Sequence, residues 1–482
     1  MFRRQRLSHC SLLLACRLRL STAGVARPEV CEGRPDAGPG VLSLLQERVS
    51  NRGSRVPRGA LGVEAGWNDL NIVLDAGKWL KIPEPFLKEG GARPHPPRMN
   101  LSDVSVRSNV SIVVLVAALR ETRTVHTLED LFAKAHNPSR VFVGVVQQNS
   151  RDDEDVVEGL CKRLGTPLER RPPFAHAHRR TPGEDDWGQK RFTPESLAAC
   201  GPAARVRVYR MDAGEAAGPV YARAQQRRLL SPGKGLEDFC LQIDAHAVFA
   251  PGWDTQLLGE FAQTENEYAV LSTYPTDAAT ALPDGTFPNS NGHWEMPHIC
   301  TAQILQPGVV RNDQASAVAN LQRPALGKFW AAGLSFSRCH AERDVPSDPS
   351  LRQIFDGEEF SRGARLWTNG YDFYSLARPV LGVYYGEKKG GKGDWSHVVV
   401  EETASDGRLQ RLLCQEGSVP PEALRGFDLG TRRRFEDYVA LTGVDCRSRS
   451  AKGTPCGVAK WTAWRPGSDP PYEALRGAPP PI

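Results

Sequence analysis

Two apolar runs, "SIVVLVAAL" at 111–119 and "RVFVGVVQQ" at 140–148, constrain this chain more than any other feature. Each is rich in β-branched residues and bounded by polar ones, the pattern of a strand buried on both faces. Between them "TVHTLEDLFAKAH" sets Val125, Leu128, Leu131 and Phe132 at helical spacing. Strand, helix and strand with short joins make a βαβ unit, so the two strands run parallel in a sheet covered by helices.

The pattern continues downstream. Residues 152–164 predict a further helix, and "RVRVYRM" at 205–211 a strand. Gly218-Pro219 opens a helix through Leu230, with proline in the first turn. "DFCLQIDAHAVF" at 238–249 and "YAVLSTYP" at 268–275 predict strands, and 276–329 reads as loop. A helix from Glu358 to Trp367 stops at Asn369-Gly370. A last strand is expected over 379–388 and a short amphipathic helix over 432–445. The sum is an α/β domain with a mostly parallel, twisted sheet, whose strands end in loops able to build a site at one edge.

With 482 residues, 40% hydrophobic and 24% charged, the chain can bury a real core. Its net charge of +5 comes with no dense basic block, so nucleic acid is not expected as a partner. Residues 1–105, rich in Gly, Pro and Arg, read as a mostly disordered leader and linker. The compact domain is expected over 106–445 with an exposed insertion at 165–202, and 446–482 as a tail. The first 28 residues carry six arginines and no acid, which fits either an organellar transit leader or a disordered extension. No segment is long and apolar enough to cross a bilayer. The expected location is the cytoplasm, with an organelle or the Golgi as alternatives. Eleven cysteines without a C-x-x-C pair are expected to be mostly reduced thiols, with a Cys446–Cys456 bridge open to a secretory protein.

Chemistry concentrates at Asp244-Ala245-His246. Two positions apart in extended backbone, Asp244 and His246 point the same way, and a carboxylate with an imidazole suits a divalent cation. The imidazole favours Mn²⁺ over Mg²⁺. The alternative is an Asp cap beside a surface His. Asp356-Gly357-Glu358-Glu359 puts acids in a first helical turn, read either as dipole-complementing charges with a Glu358–Arg362 pair or as carboxylates beside a substrate hydroxyl. "FWAAGLSFSR" at 329–338 lets backbone approach a ligand closely, or packs a strand on a helix.

In this order the segments resemble the family of hydroxyproline and polypeptide N-acetylglucosaminyltransferases, whose best-known members act on a ubiquitin-ligase adaptor in protists. The resemblance rests on "AALRETRTVHTLEDLFAKAHNPSRVFVGVVQQ", "RMDAGEAAGPVYARAQQRRLL", "EDFCLQIDAHAVFAPGWD", "LSTYP" and "FWAAGLSFSRCHAERDVPSDPSLRQIFDGEEFSRGARLWTNGYDFY". It implies a GT-A-like fold, a UDP-GlcNAc donor, a divalent metal, a polypeptide acceptor and retention of anomeric configuration. By position, Asp244 and His246 match the metal pair. Arg120 and Arg223 are expected at the nucleotide and its phosphates, Trp330 and Gly333 at the sugar. Glu358, Glu359 and Asp348 are the expected catalytic carboxylates. Ala245 stands where the family has Ser. The late family His is missing from "VLGVYYGEK", which leaves His397 as a substitute third ligand or a site of two protein ligands. Those departures keep a second reading open, a glycosyltransferase-like binding or scaffold protein without activity.

Overall fold

The computed structural model describes residues 99–107, 109–171, 191–230, 237–288, 295–319, 321–385, 399–417, 419–452, 459 and 462–465. All belong to one compact unit, Ala65–Ile482. The leader up to residue 98 and His397 lie outside the described residues.

The opening βαβ is present as β1 (Ile112–Leu119), α1 (Thr124–Lys134) and β2 (Val141–Asn149). Then come α2 (Val156–Arg163), β3 (Val206–Asp212), α3 (Pro219–Gln225) and β4 (Phe239–Asp244). The second half adds α4 (Trp253–Gln263), β5 (Ala269–Ser272), β6 (Ala325–Gly327), β7 (Leu334–Arg338), α5 (Glu358–Thr368) and β8 (Asp372–Ser375). Helices α6 (Val399–Cys414) and α7 (Phe435–Thr442) close the unit.

One eight-stranded sheet runs β6-β8-β5-β7-β4-β1-β2-β3. The β3, β2, β1 and β4 strands are mutually parallel, as is the β8–β5 pair, while β7 is antiparallel to both β4 and β5. This is the α/β sheet expected from the apolar runs. β1 is buried on both faces because α1 and α2 pack on one side and α3 on the other, which is why its sequence does not alternate. In the β1–β4 register Ala117 lies opposite Asp244, so both strands deliver their C-terminal residues to the same sheet edge.

Several expectations change. The strand over 238–249 breaks at Ala245-His246 into β4 and a short strand, Ala247–Phe249, that joins a second sheet. The 276–329 loop contains short antiparallel pairs, Glu295–His298 with Ser316–Ala319 and Ala302–Gln306 with Val309–Asn312. The second pair turns through Gly308 at φ 85°, and its half-exposed strands of four or five residues carry no clear alternation. Helix α6 was not expected, since Val, Thr and an internal Gly407 dilute its helical signal. Within the expected exposed insertion Phe192 and Cys200 are buried, and Arg170 bridges to Phe192, so the described ends of that segment are tied to the core.

The cysteines depart most clearly from expectation. Three disulfides join described residues: Cys161–Cys200, Cys240–Cys339 and Cys414–Cys446, with Cα separations of 5.6, 4.8 and 4.9 Å, all within the normal span. The expectation of mostly reduced thiols is overturned, and Cys446 pairs with Cys414 rather than Cys456. Sequence spacing could not reveal these pairs because each joins elements that only the fold brings together.

Candidate active site

At the sheet edge β4 ends in Asp244, whose carboxylate faces α3 and α5. Arg223 of α3 donates through Nη2 to Asp244 Oδ1 at 2.9 Å and through Nη1 to Glu358 Oε2. Helix α3 starts at Gly218, with φ 91°, where a Cβ would come within 3.1 Å of the Gln353 backbone nitrogen. That close approach sets α3 against the loop leading into α5. Gly357, at φ 92°, caps α5 and packs where a Cβ would strike Leu409 of α6. Two glycines thus place Arg223 and Glu358 on one point.

Glu358 is buried and Glu359 is half-buried. Burial raises the Glu358 carboxyl against the pull of Arg223 and Arg362, and its Oε1 has no hydrogen-bond partner among the described residues. The Glu358–Arg362 pair expected along the helix does not form. Arg362 instead bonds Glu342, Ser347 and Gln242 and lies over the Trp330 ring. Glu359 accepts from Tyr274 Oη at 2.8 Å, Ala332 N at 2.9 Å and Asn312 Nδ2 at 3.3 Å, yet burial pushes it up to about 7. Burial lowers the Arg223 pKa, but Glu358 and Asp244 outweigh it and hold the guanidinium charged.

These groups share a cavity of about 840 Å³ lined by Arg223, Asp244, Tyr274, Gly333, Glu358 and Glu359. A Cβ on Gly333 would stand 3.1 Å from Asp244 Oδ2, so this glycine leaves that oxygen its space. Phe355 and Tyr385 also line the cavity and are 67% and 53% exposed, so they form its solvent-facing rim. The rim pair Arg311 and Asp356 are 3.5 Å apart and offset one another.

His246 sits two residues past the end of β4, with Nδ1 3.4 Å from Glu121 Oε2. Glu121 and Asp244 both raise the His246 pKa, with Glu121 the larger influence. Burial would raise Glu121, but His246 and the Arg123 amide hold it below the usual carboxylate range. Among the described residues no group of three or more His, Cys, Asp or Glu converges on one point as a metal centre. The expected metal pair lies at the break after β4, where Asp244 lines the cavity and His246 does not. Asp244 and His246 leave one strand end together, and the missing side chain at Gly333 makes a cradle beside the Asp244 carboxylate.

The other expected residues lie elsewhere. Trp330 is buried, donates through Nε1 to Ser335 at 2.8 Å and does not line the cavity. Asp348 accepts from Arg408 at 2.6 Å and from Ser350 N at 2.9 Å, an internal ion pair that does not line the cavity. Arg120, at φ 48°, forms a two-pronged pair with Asp153 at 2.8 and 3.1 Å. Sequence reasoning missed Glu121, Tyr274, Asn312 and Phe355. The only local signal for Glu121 was an acid two residues past a buried strand.

A sequence model of the glycosyltransferase (GlcNAc) family matches residues 111–447. No curated protein sequence matches significantly. Among solved structures the chain is similar to GalNAc-T7 with UDP, GalNAc and Mn²⁺, at 13% identity over 59% of this chain and 44% of that one, TM-score 0.37. It is also similar to S. aureus TarS 1-349 in complex with UDP-GlcNAc, at 11% identity over 60% and 62%, TM-score 0.32. A third is the mannosyltransferase PcManGT from Pyrobaculum calidifontis with GDP-Man and Mn²⁺, at 11% identity over 76% and 77%, TM-score 0.30. The chain spans less than two thirds of the length of the first two. The family match runs through the whole sheet, GT-A-like in its α/β build, and both carboxylate clusters at its edge. The chain belongs to the GlcNAc glycosyltransferase family.

Proposed function

We propose that this glycosyltransferase moves N-acetylglucosamine from UDP-GlcNAc to a polypeptide hydroxyl, on hydroxyproline or Ser/Thr, with retention of configuration and with a divalent metal, Mn²⁺ ahead of Mg²⁺. The observation that carries the reading is Asp244. It ends the central strand, faces a cavity of about 840 Å³, and shares it with the half-buried Arg223, the buried Glu358 and the half-buried Glu359. Asp244 and His246 would hold the metal, which when bound offsets negative charge on the departing UDP. Water and the donor diphosphate would complete its shell.

In this reading Arg223 keeps Asp244 and Glu358 aligned and presents positive charge to the phosphates. Glu358, with one unsatisfied oxygen, and Glu359, poised near neutral pH, are the carboxyls available to orient sugar or acceptor hydroxyls. Gly333 and Ala332 would admit the donor close to backbone, and the acceptor would enter over Phe355 and Tyr385. Arg120 would reach the nucleotide only by leaving Asp153. Trp330 would shape the sugar site indirectly, and Asp348 would support the α5 approach through Arg408.

The disulfides support maturation in an oxidising compartment over the cytoplasm. Among the described residues no helix is long and apolar enough to cross a membrane. Incubating the purified chain with UDP-GlcNAc, Mn²⁺ and peptides carrying hydroxyproline, serine or threonine tests the proposal. Transfer should vanish with EDTA and in Asp244→Ala. Tight UDP binding with no transfer or hydrolysis in any combination would replace it with the scaffold reading.

A further inference from the structure

We infer that Glu121 is a positioning residue that fixes the tautomer of His246, holding the proton on Nδ1 and leaving Nε2 free to bind a divalent cation. This rests on the metal reading above. Its basis is the geometry of one turn. Because β1 and β4 are parallel neighbours, Glu121 emerges from β1 at the edge where His246 leaves β4. Glu121 Oε1 accepts the Arg123 N–H at 2.8 Å, which turns Oε2 toward His246 Nδ1 at 3.4 Å.

The backbone around His246 is pinned as well. The Thr127 hydroxyl, in the first turn of α1, reaches the Ala247 carbonyl at 2.9 Å and accepts the Ala247 N–H at 3.0 Å. It also lies 3.1 Å from the Ala245 carbonyl. The His246 carbonyl accepts from Tyr384 N at 3.2 Å. The turn is thus held from both sides, which leaves the imidazole its own side-chain torsions, and the Glu121 contact restrains them.

An ionised carboxylate only accepts, so its partner nitrogen must carry the hydrogen. Nδ1–H toward Glu121 leaves the lone pair on Nε2, which makes no hydrogen bond among the described residues. A carboxylate behind a histidine in this way orients the ring and makes the far nitrogen a better ligand. The signature reaches back to the sequence, where Glu121 lies two residues past the first buried strand and Thr127 six residues beyond Glu121.

Glu121→Gln separates this role from a merely structural one. The Gln oxygen still takes the Arg123 N–H, so its NH₂ group meets Nδ1 and selects the tautomer with hydrogen on Nε2. Mn²⁺ binding in the presence of UDP, followed by electron paramagnetic resonance of the free ion, should weaken about 10- to 100-fold, with the melting temperature unchanged. In the metal-free wild type, side-chain ¹⁵N shifts of neutral His246 should report Nδ1–H, a readout that needs no variant. Mn²⁺ binding by E121Q within twofold of wild type, or a wild-type Nε2–H tautomer, would overturn the inference while leaving the metal reading standing. A wild type that binds no Mn²⁺ at all would end both.

Discussion

Arg223 binds Asp244 at 2.9 Å, and the same guanidinium reaches Glu358, so one cation spans the strand-end carboxylate and the first turn of α5. Glu358 is almost fully buried, whereas Asp244 is partly open to the cavity. Removing the cation leaves a buried carboxyl unpaired. We predict that Arg223→Met lowers unfolding free energy by about 3 kcal/mol at pH 7, measured by urea denaturation. Arg223→Lys should recover part of that loss, since a point charge cannot fork to both oxygens. Equal stability of the methionine variant and wild type would show that the pair contributes nothing.

Gly333 faces Asp244 from the opposing strand segment. A methyl group there would sit 3.1 Å from both Asp244 Oδ2 and Pro275 Cδ, so one must yield by a few tenths of an ångström. The proline is ring-locked, which directs the shift to the carboxylate. Gly333→Ala is expected to weaken Mn²⁺ binding about tenfold with little change in melting temperature. Calorimetric titration of metal into the UDP complex checks this, and an unchanged affinity would mean the cradle beside Asp244 is not used.

Two desolvated carboxyls, the half-buried Glu359 and the buried Glu260, give the fold a pH dependence of definite sign. Burial raises Glu359 and Glu260 from an ordinary value near 4.5 to about 7. Below about 4.5 both are neutral folded and unfolded, and no penalty exists. Between 4.5 and 7 the folded state holds more protons than the unfolded one, so stability falls as pH rises and levels off above 7. The loss is at most about 3 kcal/mol per group. Glu359→Gln should flatten the decline between pH 5 and pH 8 relative to wild type, and Glu260→Gln should do the same without touching the cavity. Parallel stability curves for wild type and E359Q would contradict the assignment.

The sheet was legible because its central strands are buried on both faces, and "SIVVLVAAL" and "RVFVGVVQQ" cannot be satisfied any other way. Asp244 was legible for a related reason: it is the first ionisable side chain where the apolar run of β4 ends. The partners of these residues were not. Arg223 was expected at phosphate and stands on two carboxylates, because a sequence shows charge but not which opposite charge the fold brings within reach. Trp330 was expected at the cavity wall and lies under Arg362. Its neighbours Ala332 and Gly333 do line the cavity, because the chain bends there, and a bend is not visible in residue spacing. Asp348 and Arg408 are 60 residues apart, and nothing local announces their pairing.

Eleven cysteines, three bridges between described residues and a fourth that holds Cys300 make the redox state measurable. If all four form, at most three thiols remain. Thiol titration of the denatured, unreduced protein should therefore find three or fewer. The Cys240–Cys339 bridge joins the start of β4 to the residue after β7, at the end of β4 away from Asp244, and closes a loop of 99 residues. Its loss in the Cys240→Ala, Cys339→Ala double variant should cost about 4 kcal/mol and lower the midpoint of urea unfolding. Eleven titratable thiols in protein purified without reductant would return the chain to the reduced state expected from its sequence.

Phe355 offers the cleanest division between donor and acceptor chemistry. It is 67% exposed, so its ring contributes little to the core, yet the backbone beneath it is fixed. Gln353 N–H bonds the Ala217 carbonyl at 2.7 Å, Asp356 pairs with Arg311, and Gly357 packs on Leu409. A rigidly held phenyl ring at the cavity rim, beside a charge pair that cancels itself, favours apolar contact with the incoming chain over ionic contact. Phe355→Ala is expected to raise the KM for an acceptor peptide about tenfold, in line with the loss of one buried aromatic contact of roughly 1.4 kcal/mol. Hydrolysis of UDP-GlcNAc without acceptor should proceed at the wild-type rate. Wild-type acceptor KM should also change little between low and high salt, since screening weakens only charged contacts. An unchanged KM in F355A, or one that climbs steeply with salt, would place the acceptor over a different part of the rim.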